Sequence, residues 1–150
     1  MMTINNVTSV SATGFCIRTT NQAEANPSTG KIGELWETFY TQAAPKLTES
    51  SKVFGVYTNY ESDHTGAFDV IACADTLSVS MLPGSVDTHI PSSKYLVFNA
   101  VGEFPQVVYQ LWAEIWSYFS SQGCRHQRAF TTDFEFYKNA SEVEIYISIK

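Results

Sequence analysis

The feature that most constrains the fold is an order of secondary-structure elements that occurs twice along the 150-residue chain. A β-leaning segment, an amphipathic helix and a hairpin are indicated within residues 7–80, and the same order recurs within residues 94–150. Two β-α-β-β units related by an approximate two-fold axis can share one antiparallel sheet. The sequence therefore predicts a single α+β domain over residues 1–150, with a curved sheet, two helices on one face and a central cleft.

The first half begins with a strand over residues 7–19, followed by a turn-rich segment. A helix is then indicated by apolar residues that recur at three- and four-residue steps, with its cap at Ser28 or Thr29 and its end near Pro45. A hairpin of strands over residues 53–60 and 68–75 closes this half. The apolar helix residues are Ile32, Leu35, Trp36, Phe39, Tyr40 and Ala43.

The second half follows a linker rich in Ser and Pro at residues 82–93. A strand over 94–102, a helix from Pro105 to Gly123, and strands over 129–138 and 143–149 repeat the order of the first half. Sequence identity between the halves is weak, but short segments match. Phe54-Gly55-Val56-Tyr57 corresponds to Phe134-Glu135-Phe136-Tyr137, and Phe68-Asp69-Val70-Ile71 corresponds to Val143-Glu144-Ile145-Tyr146.

Composition and charge narrow the function. Aromatic residues form 14% of the chain, which an aromatic-lined cleft between the halves would explain. A formal net charge of −6 disfavours direct contact with nucleic acid. We expect a cytoplasmic protein that does not enter a membrane, because neither a signal peptide nor a long apolar run is present. Three scattered cysteines predict neither a disulfide framework nor a metal site, and no cofactor is expected.

The final hairpin contains the most informative acid. Strand alternation separates Asp133, Glu135 and Tyr137 from Phe134 and Phe136, so Glu135 could simply face solvent. If its face instead lines the cleft, its poorly solvated charge needs a partner, and an organic cation held by aromatic rings would suit it. The row Glu144-x-Tyr146-x-Ser148 on the last strand poses the same alternative. The basic residues Arg125, His126 and Arg128 are interpreted as solvated helix-end charge.

The chain as a whole resembles the GyrI-like family, the effector-binding domains of AraC- and MerR-type multidrug-responsive regulators. The resemblance rests on the order of four segments over nearly all 150 residues. These are Val53–Tyr57 with Ala67–Val70, Lys94–Phe98 leading through Gly102 to a helix with Trp112 and Trp116, Phe134–Tyr137, and Val143–Lys150. The family fold that the resemblance implies is the tandem β-α-β-β arrangement. Among its stand-alone members, the chain is most similar to drug-binding proteins encoded by integron cassettes.

The resemblance implies a pocket for amphipathic, often cationic, drug-like molecules, with Glu135 as the counter-charge. Glu135 and Trp116 are the positions that match the family directly. Further wall residues are expected from strand alternation and helix faces: Tyr57, Phe68, Tyr95, Trp112, Tyr137, Glu144 and Tyr146. We expect no helix-turn-helix in this chain, so it should not bind DNA by itself.

Two other functions stay open on the sequence alone. Some members of the wider family are described as hydrolases of small electrophilic compounds, and Glu135 or Glu144 with Tyr137 or Tyr146 could act as acid and base. The absence of a Ser-His-Asp arrangement, a nucleophile elbow or a metal motif argues against catalysis. The third hypothesis is a protein-interaction role, as a gyrase-inhibitor-like or transcription-partner module or as a weak homodimer.

Overall fold

The protein, described for residues 2–150 by a computed structural model, folds into one eight-stranded sheet with helices on one face. The strands are β1 Met2–Val7, β2 Val10–Thr20, β3 Val53–Thr58, β4 Ala67–Ala74, β5 Val86–Ile90, β6 Ser93–Val101, β7 Thr132–Tyr137 and β8 Glu142–Ser148. The α-helices are α1 Asn21–Glu24, α2 Ile32–Gln42 and α3 Gln106–Ser120. The predicted α+β fold is confirmed, with all strand pairs antiparallel and the sheet curled into a half-barrel.

The strand order shows the internal symmetry directly. The sheet runs β1-β6-β8-β7-β3-β4-β2-β5, so β2-β4-β3 of the first half mirrors β6-β8-β7 of the second half. The halves meet where β3 pairs with β7. This junction is where the approximate two-fold axis passes, and it brings residues from both repeats to the centre of the sheet.

Two edge strands were not predicted from the sequence. The segment interpreted as a linker over residues 82–93 contains β5, and β1 precedes the first predicted strand. Each edge strand pairs with the other half: β1 with β6, and β5 with β2. Both are short and largely exposed, so their side chains lack the apolar alternation that marks a half-buried strand. The repeat is therefore β-β-α-β-β, with its leading strands exchanged between halves.

The beginning of α2 also differs from the prediction. Neither Ser28 nor Thr29 caps it; the helix starts at Ile32. Glu24, at the end of the unpredicted helix α1, accepts hydrogen bonds from the backbone N–H groups of Lys31 and Ile32 at 2.9 and 3.2 Å. A carboxylate stabilises a helix N-terminus because it satisfies free N–H groups and complements the helix dipole. The short helix thus fixes where α2 starts.

Both faces of the sheet are covered. On one face, α2 packs on the first half through Leu35 and Phe39, and α3 packs on the second half through Leu111 and Ile115. The opposite, inner face of the curl closes on its own apolar core. This inner core includes Phe54, Val56, Ile71, Tyr95, Val97 and Phe134. Within residues 2–150, no helix combines the length and apolar character that crossing a bilayer requires.

Gly14 in β2 lies very close to the backbone of the neighbouring strand β4, so substituting it tests the packing of the sheet. A Cβ at this position would overlap the carbonyl oxygen of Ala72 and lie 2.6 Å from Cα of Cys73. We expect Gly14→Ala to lower the free energy of unfolding by about 1–3 kcal/mol, measured by urea denaturation, because backbone must move to admit the methyl group. Gly33→Ala is the matched control, since its Cβ would meet nothing within 4 Å and alanine favours a helix. Equal destabilisation by both substitutions would contradict this account.

Candidate functional site

Glu135 lies on the approximate two-fold axis. The register of β3 and β7 pairs it directly with Gly55, the residue that the repeat aligns with it. A Cβ on Gly55 would lie 2.5 Å from Oε1 of Glu135 and 3.0 Å from Cζ2 of Trp36. A side chain at both equivalent positions would therefore collide. One repeat contributes the carboxylate, and the other contributes the space for it.

The Glu135 side chain is held by three neutral donors. Its residue is 2% exposed. Oε2 accepts hydrogen bonds from the Tyr57 hydroxyl at 2.9 Å and the Trp112 indole Nε1 at 2.7 Å, and Oε1 accepts one from the Tyr137 hydroxyl at 2.7 Å. Among residues 2–150, no lysine, arginine or histidine forms an ion pair with this carboxylate. Its negative charge is hydrogen-bonded but not neutralised.

Burial dominates the electrostatics of this group. Desolvation raises the pKa of Glu135, although the hydrogen bonds from Trp112, Tyr137 and Tyr57 oppose the shift. The pKa values of Tyr57 and Tyr137 are also raised well above their ordinary value, first by burial and then by the nearby Glu135 charge. Both tyrosines therefore remain protonated donors at neutral pH. The arrangement favours either a proton on Glu135 or a cation beside it.

A cavity of about 530 Å³ opens in front of this acid, between α1 and α3. Its aromatic walls are Tyr57, Tyr60, Phe68, Tyr109, Trp112 and Trp116. Tyr57 is central: its ring lies 5.2 Å from that of Trp112 and 5.9 Å from that of Phe68. Glu135 is behind the cavity wall, because two of its donors, Tyr57 and Trp112, stand between the carboxylate and the open space.

The structure brings most of the expected site residues together. Tyr57, Phe68, Trp112 and Trp116 line the cavity. Tyr137 contacts Glu135 from the side away from the cavity, where its ring lies 5.2 Å from Trp36 and 5.6 Å from Phe104. Of the two alternatives for Glu135, the solvent-exposed one does not occur, because both faces of β7 are covered.

Tyr95, Glu144 and Tyr146 lie on the inner face of the sheet, away from the Glu135 cavity. Tyr95 is fully buried there and donates to the carbonyl of Pro91, while Tyr146 stacks on Phe134 at 4.3 Å. The cause is register: Glu135 pairs with Ile145, so Glu144 and Tyr146 pair with Phe136 and Phe134 on the opposite face. The structure separates these three predicted wall residues from the cavity. It also leaves Glu135 and Glu144 on opposite faces.

Several site residues were missed. Trp36 was recognised only as a residue of a helix face, and Gly55 was noted only within the repeat match, although a glycine inside a strand can mark a close approach. Arg128, interpreted as solvated, is 11% exposed in its side chain and pairs with the fully buried Asp133 at 2.7 Å. Tyr60, His64 and Tyr109 also line the cavity. Their places depend on contacts between distant elements, so no local pattern indicates them.

The described residues, 2–150, contain no group of three or more His, Cys, Asp or Glu side chains that could hold a metal ion. Cys16, Cys73 and Cys124 are free thiols. Burial raises the pKa of the Cys73 thiol, so this cysteine is an unreactive core residue at neutral pH. Besides its aromatic rings, the cavity wall carries the ionisable side chains of Glu24, His64 and Arg128, and the Glu135 carboxylate lies behind that wall.

A known protein family matches almost the whole chain. Residues 3–149 match the family Cass2, described as integron-associated effector binding protein. The chain belongs to this family. The resemblance to GyrI-like effector-binding domains that the sequence indicated is confirmed at the level of the family and its fold.

Three relatives illustrate the range of similarity. An integron cassette protein from the mobile metagenome of Vibrio cholerae is 59% identical, with 99% of this chain and 95% of that chain covered and a TM-score of 0.96. The transcriptional-regulator-like protein YobU of Bacillus subtilis (strain 168) is 30% identical over 149 residues, covering 91% of this chain and 90% of YobU. The structure of SAV2435 bound to tetraphenylphosphonium shares the fold, at 20% identity and a TM-score of 0.75, with 100% and 94% of the chains covered.

The buried charge predicts a pH-dependent stability. Because the folded protein raises the pKa of Glu135 above its ordinary value of 4.5, the folded state binds that proton more tightly than the unfolded chain does. The resulting stabilisation is present below pH 4.5 and is lost as pH rises through the folded pKa. At pH 7 we expect Glu135→Gln to raise the free energy of unfolding by about 1 kcal/mol or more, with the gain shrinking on acidification.

Urea denaturation from pH 4.5 to 8 measures this difference. Glu144→Gln serves as the control, because Glu144 is partly exposed and lies 3.9 Å from Lys138. It should not stabilise the protein. Equal stability of wild type and Glu135→Gln at pH 7 would contradict the prediction.

Proposed function

We propose that this protein binds amphipathic, positively charged small molecules in the cavity between α1 and α3, with Glu135 as their counter-charge. One observation carries the proposal: a buried carboxylate is held by three neutral donors and has no basic partner among residues 2–150. Burying an unpaired charge is costly unless a partner arrives or a proton neutralises it. A bound cation supplies that partner.

The walls favour the same ligand. Aromatic faces attract a cation through their quadrupoles, with about 0.5–2 kcal/mol per ring depending on desolvation. Tyr57 and Trp112 line the cavity next to apolar surface from Phe68. A large cation with aromatic or aliphatic groups would gain both contributions, whereas a small hydrated ion would lose its water without filling the cavity.

The position of Glu135 behind Tyr57 and Trp112 suits a cation that donates no hydrogen bond. Tyr57, Trp112 and Tyr137 already occupy three of the carboxylate's acceptor sites. A cation that forms no hydrogen bond can be attracted to the carboxylate without displacing any of these donors. The cation and the carboxylate instead attract each other across an aromatic ring. This attraction is weakly screened, because the surroundings have a low dielectric constant.

Two comparisons support this ligand class. The family is described as effector binding. SAV2435, which shares the fold, has been seen bound to tetraphenylphosphonium, a cation surrounded by four aromatic rings. The transcriptional-regulator-like relative supports the proposal that this protein acts as a ligand-binding component in the cytoplasm.

The separation of the acids supports binding over catalysis. The hydrolase hypothesis takes its acid and base from Glu135, Glu144, Tyr137 and Tyr146. Tyr137 donates a hydrogen bond to Glu135, but the second acid, Glu144, lies with Tyr146 on the inner face of the sheet. A general acid and base must both reach the same substrate. Glu135 is left with tyrosine and tryptophan donors that hold its charge, which is an arrangement for binding.

Tetraphenylphosphonium and tetraphenylborate test the proposal, because they have nearly the same shape and opposite charge. We expect calorimetry and tryptophan fluorescence to show saturable binding of the phosphonium ion and none of the borate. Glu135→Gln should weaken phosphonium binding by about tenfold or more, the loss expected for one charge-assisted contact. Wild-type affinity should also fall on acidification, as Glu135 takes up a proton.

Glu144→Gln is the matched control and should bind as the wild type does. Equal affinity for both tetraphenyl ions, or a Glu135→Gln variant that binds the phosphonium ion normally, would refute the role of Glu135. Unchanged ligand after prolonged incubation separates binding from turnover.

A further inference from the structure

A second cavity, of about 560 Å³, adjoins the first. The two cavities share three wall residues, Trp116, His64 and Arg128. The rings of Trp116 and His64 meet edge to face at 5.5 Å. This aromatic pair therefore forms the partition between two spaces that lie side by side along α3.

The second cavity has more basic than acidic side chains in its wall. Within residues 2–150, its titratable lining consists of Arg128, Lys150, His64 and His126, with Asp63 as the one acidic side chain. Arg128 is already paired with the buried Asp133, so hydrogen-bond donors, and not a net positive field, would recognise an anion here. Because Arg128 lies in the wall of both cavities, a ligand that extends across the partition meets this side chain.

Arg128 is positioned with donors to spare. Its hydrogen bonds, at 2.7 Å to Asp133 and 3.5 Å to the Tyr60 hydroxyl, both leave from Nη2. Nε is buried and has no hydrogen-bond partner within residues 2–150. The guanidinium carbon also lies 4.4 Å from the centroid of the Phe130 ring. A guanidinium has five N–H donors, and the two on Nη1 of Arg128 have no hydrogen-bond partner within residues 2–150 and are not buried as Nε is.

The anchor of Arg128 is itself rigid. Asp133 is fully buried, and its Oδ1 accepts hydrogen bonds from the backbone N–H and the hydroxyl of Ser148 at 2.8 and 3.1 Å. Its Oδ2 accepts from Arg128 and from Tyr60. The guanidinium is thus held from one side by an ion pair and from another by an aromatic ring. Its unused donors are pre-organised, which reduces the entropy lost when a ligand binds.

We propose that the two cavities form one bipartite site for zwitterionic amphiphiles, whose cationic group lies near Glu135 and whose carboxylate accepts hydrogen bonds from Arg128. This inference rests on the proposed function for the cationic end. The middle of such a ligand would lie along Trp116 at the partition. Arg128 would then select among cations by the group at their far end, through a charge-assisted and geometrically specific contact.

Matched phosphonium compounds test the inference. One series is triphenylphosphonium carrying an alkyl chain that ends in carboxylate, with three to six methylene groups. The other carries a plain alkyl chain of the same length. At neutral pH we expect the carboxylate compound to bind wild-type protein about tenfold more tightly at its best chain length, as one charge-assisted hydrogen bond allows.

Arg128→Lys should remove that preference, measured as the ratio of the two affinities in the same variant, because lysine keeps the charge beside Asp133 but lacks the spare fork of donors. Arg125→Lys, at an exposed position outside both cavities, is the control and should retain the preference. Nitrogen-15 NMR provides a test without any substitution. The chain has three arginines, and the Nε–H signal of Arg128 should shift with the carboxylate compound but not with the plain one.

The outcomes separate the two proposals. Plain phosphonium binding that depends on Glu135, with no carboxylate preference at any chain length or with a preference that survives Arg128→Lys, overturns the bipartite site alone. Plain binding that ignores Glu135→Gln overturns the proposed counter-charge. A carboxylate series that binds while the plain series does not would overturn the bipartite site in favour of a simple anion site, and binding of neither series overturns both proposals.

Discussion

The structure is organised around a buried carboxylate that forms no ion pair within the described part of the chain, residues 2–150. Glu135 keeps its place because Tyr57, Trp112 and Tyr137 each donate a hydrogen bond to it, and because Gly55 leaves room beside it. Neutral donors satisfy the lone pairs but do not cancel the charge. The protein therefore carries an electrostatic cost at its centre, which is the kind of strain that binding sites retain and that a cation would relieve.

Internal duplication explains how one chain assembles this centre. The axis between the halves passes through the pairing of Gly55 with Glu135, so two equivalent positions meet face to face. Identical acids there would collide and repel each other. The asymmetry of glycine opposite glutamate converts a symmetric junction into a site with one charge. The donors then come from both halves, since Tyr57 lies on β3, whereas Trp112 and Tyr137 lie on α3 and β7.

The sequence predicted the large elements well and the edges poorly. The central strands and the helices α2 and α3 pack against a core and therefore show apolar periodicity. This periodicity allows them to be predicted from the sequence. The strands β1 and β5 are largely exposed, and their pairing with the opposite half is a long-range event that leaves little local trace. Arg128 was misread for a different reason: its partners Phe130 and Asp133 are close to it in the sequence, but the burial of Asp133 that holds it in place is decided by tertiary packing.

The sequence by itself determined the duplicated α+β order, the abundance of aromatic residues and the presence of an acid between two phenylalanines. Tertiary structure decided which face of that strand meets the helices. Alternation assigns Glu135 and Phe134 to opposite faces but does not say which face is exposed to solvent. In the structure neither face is exposed, because the helices cover one and the curl of the sheet encloses the other. The pairing register of β7 with β8 then placed Glu144 and Tyr146 on the inner face, opposite the face that carries Glu135. A shift of one residue along a strand would exchange the two faces.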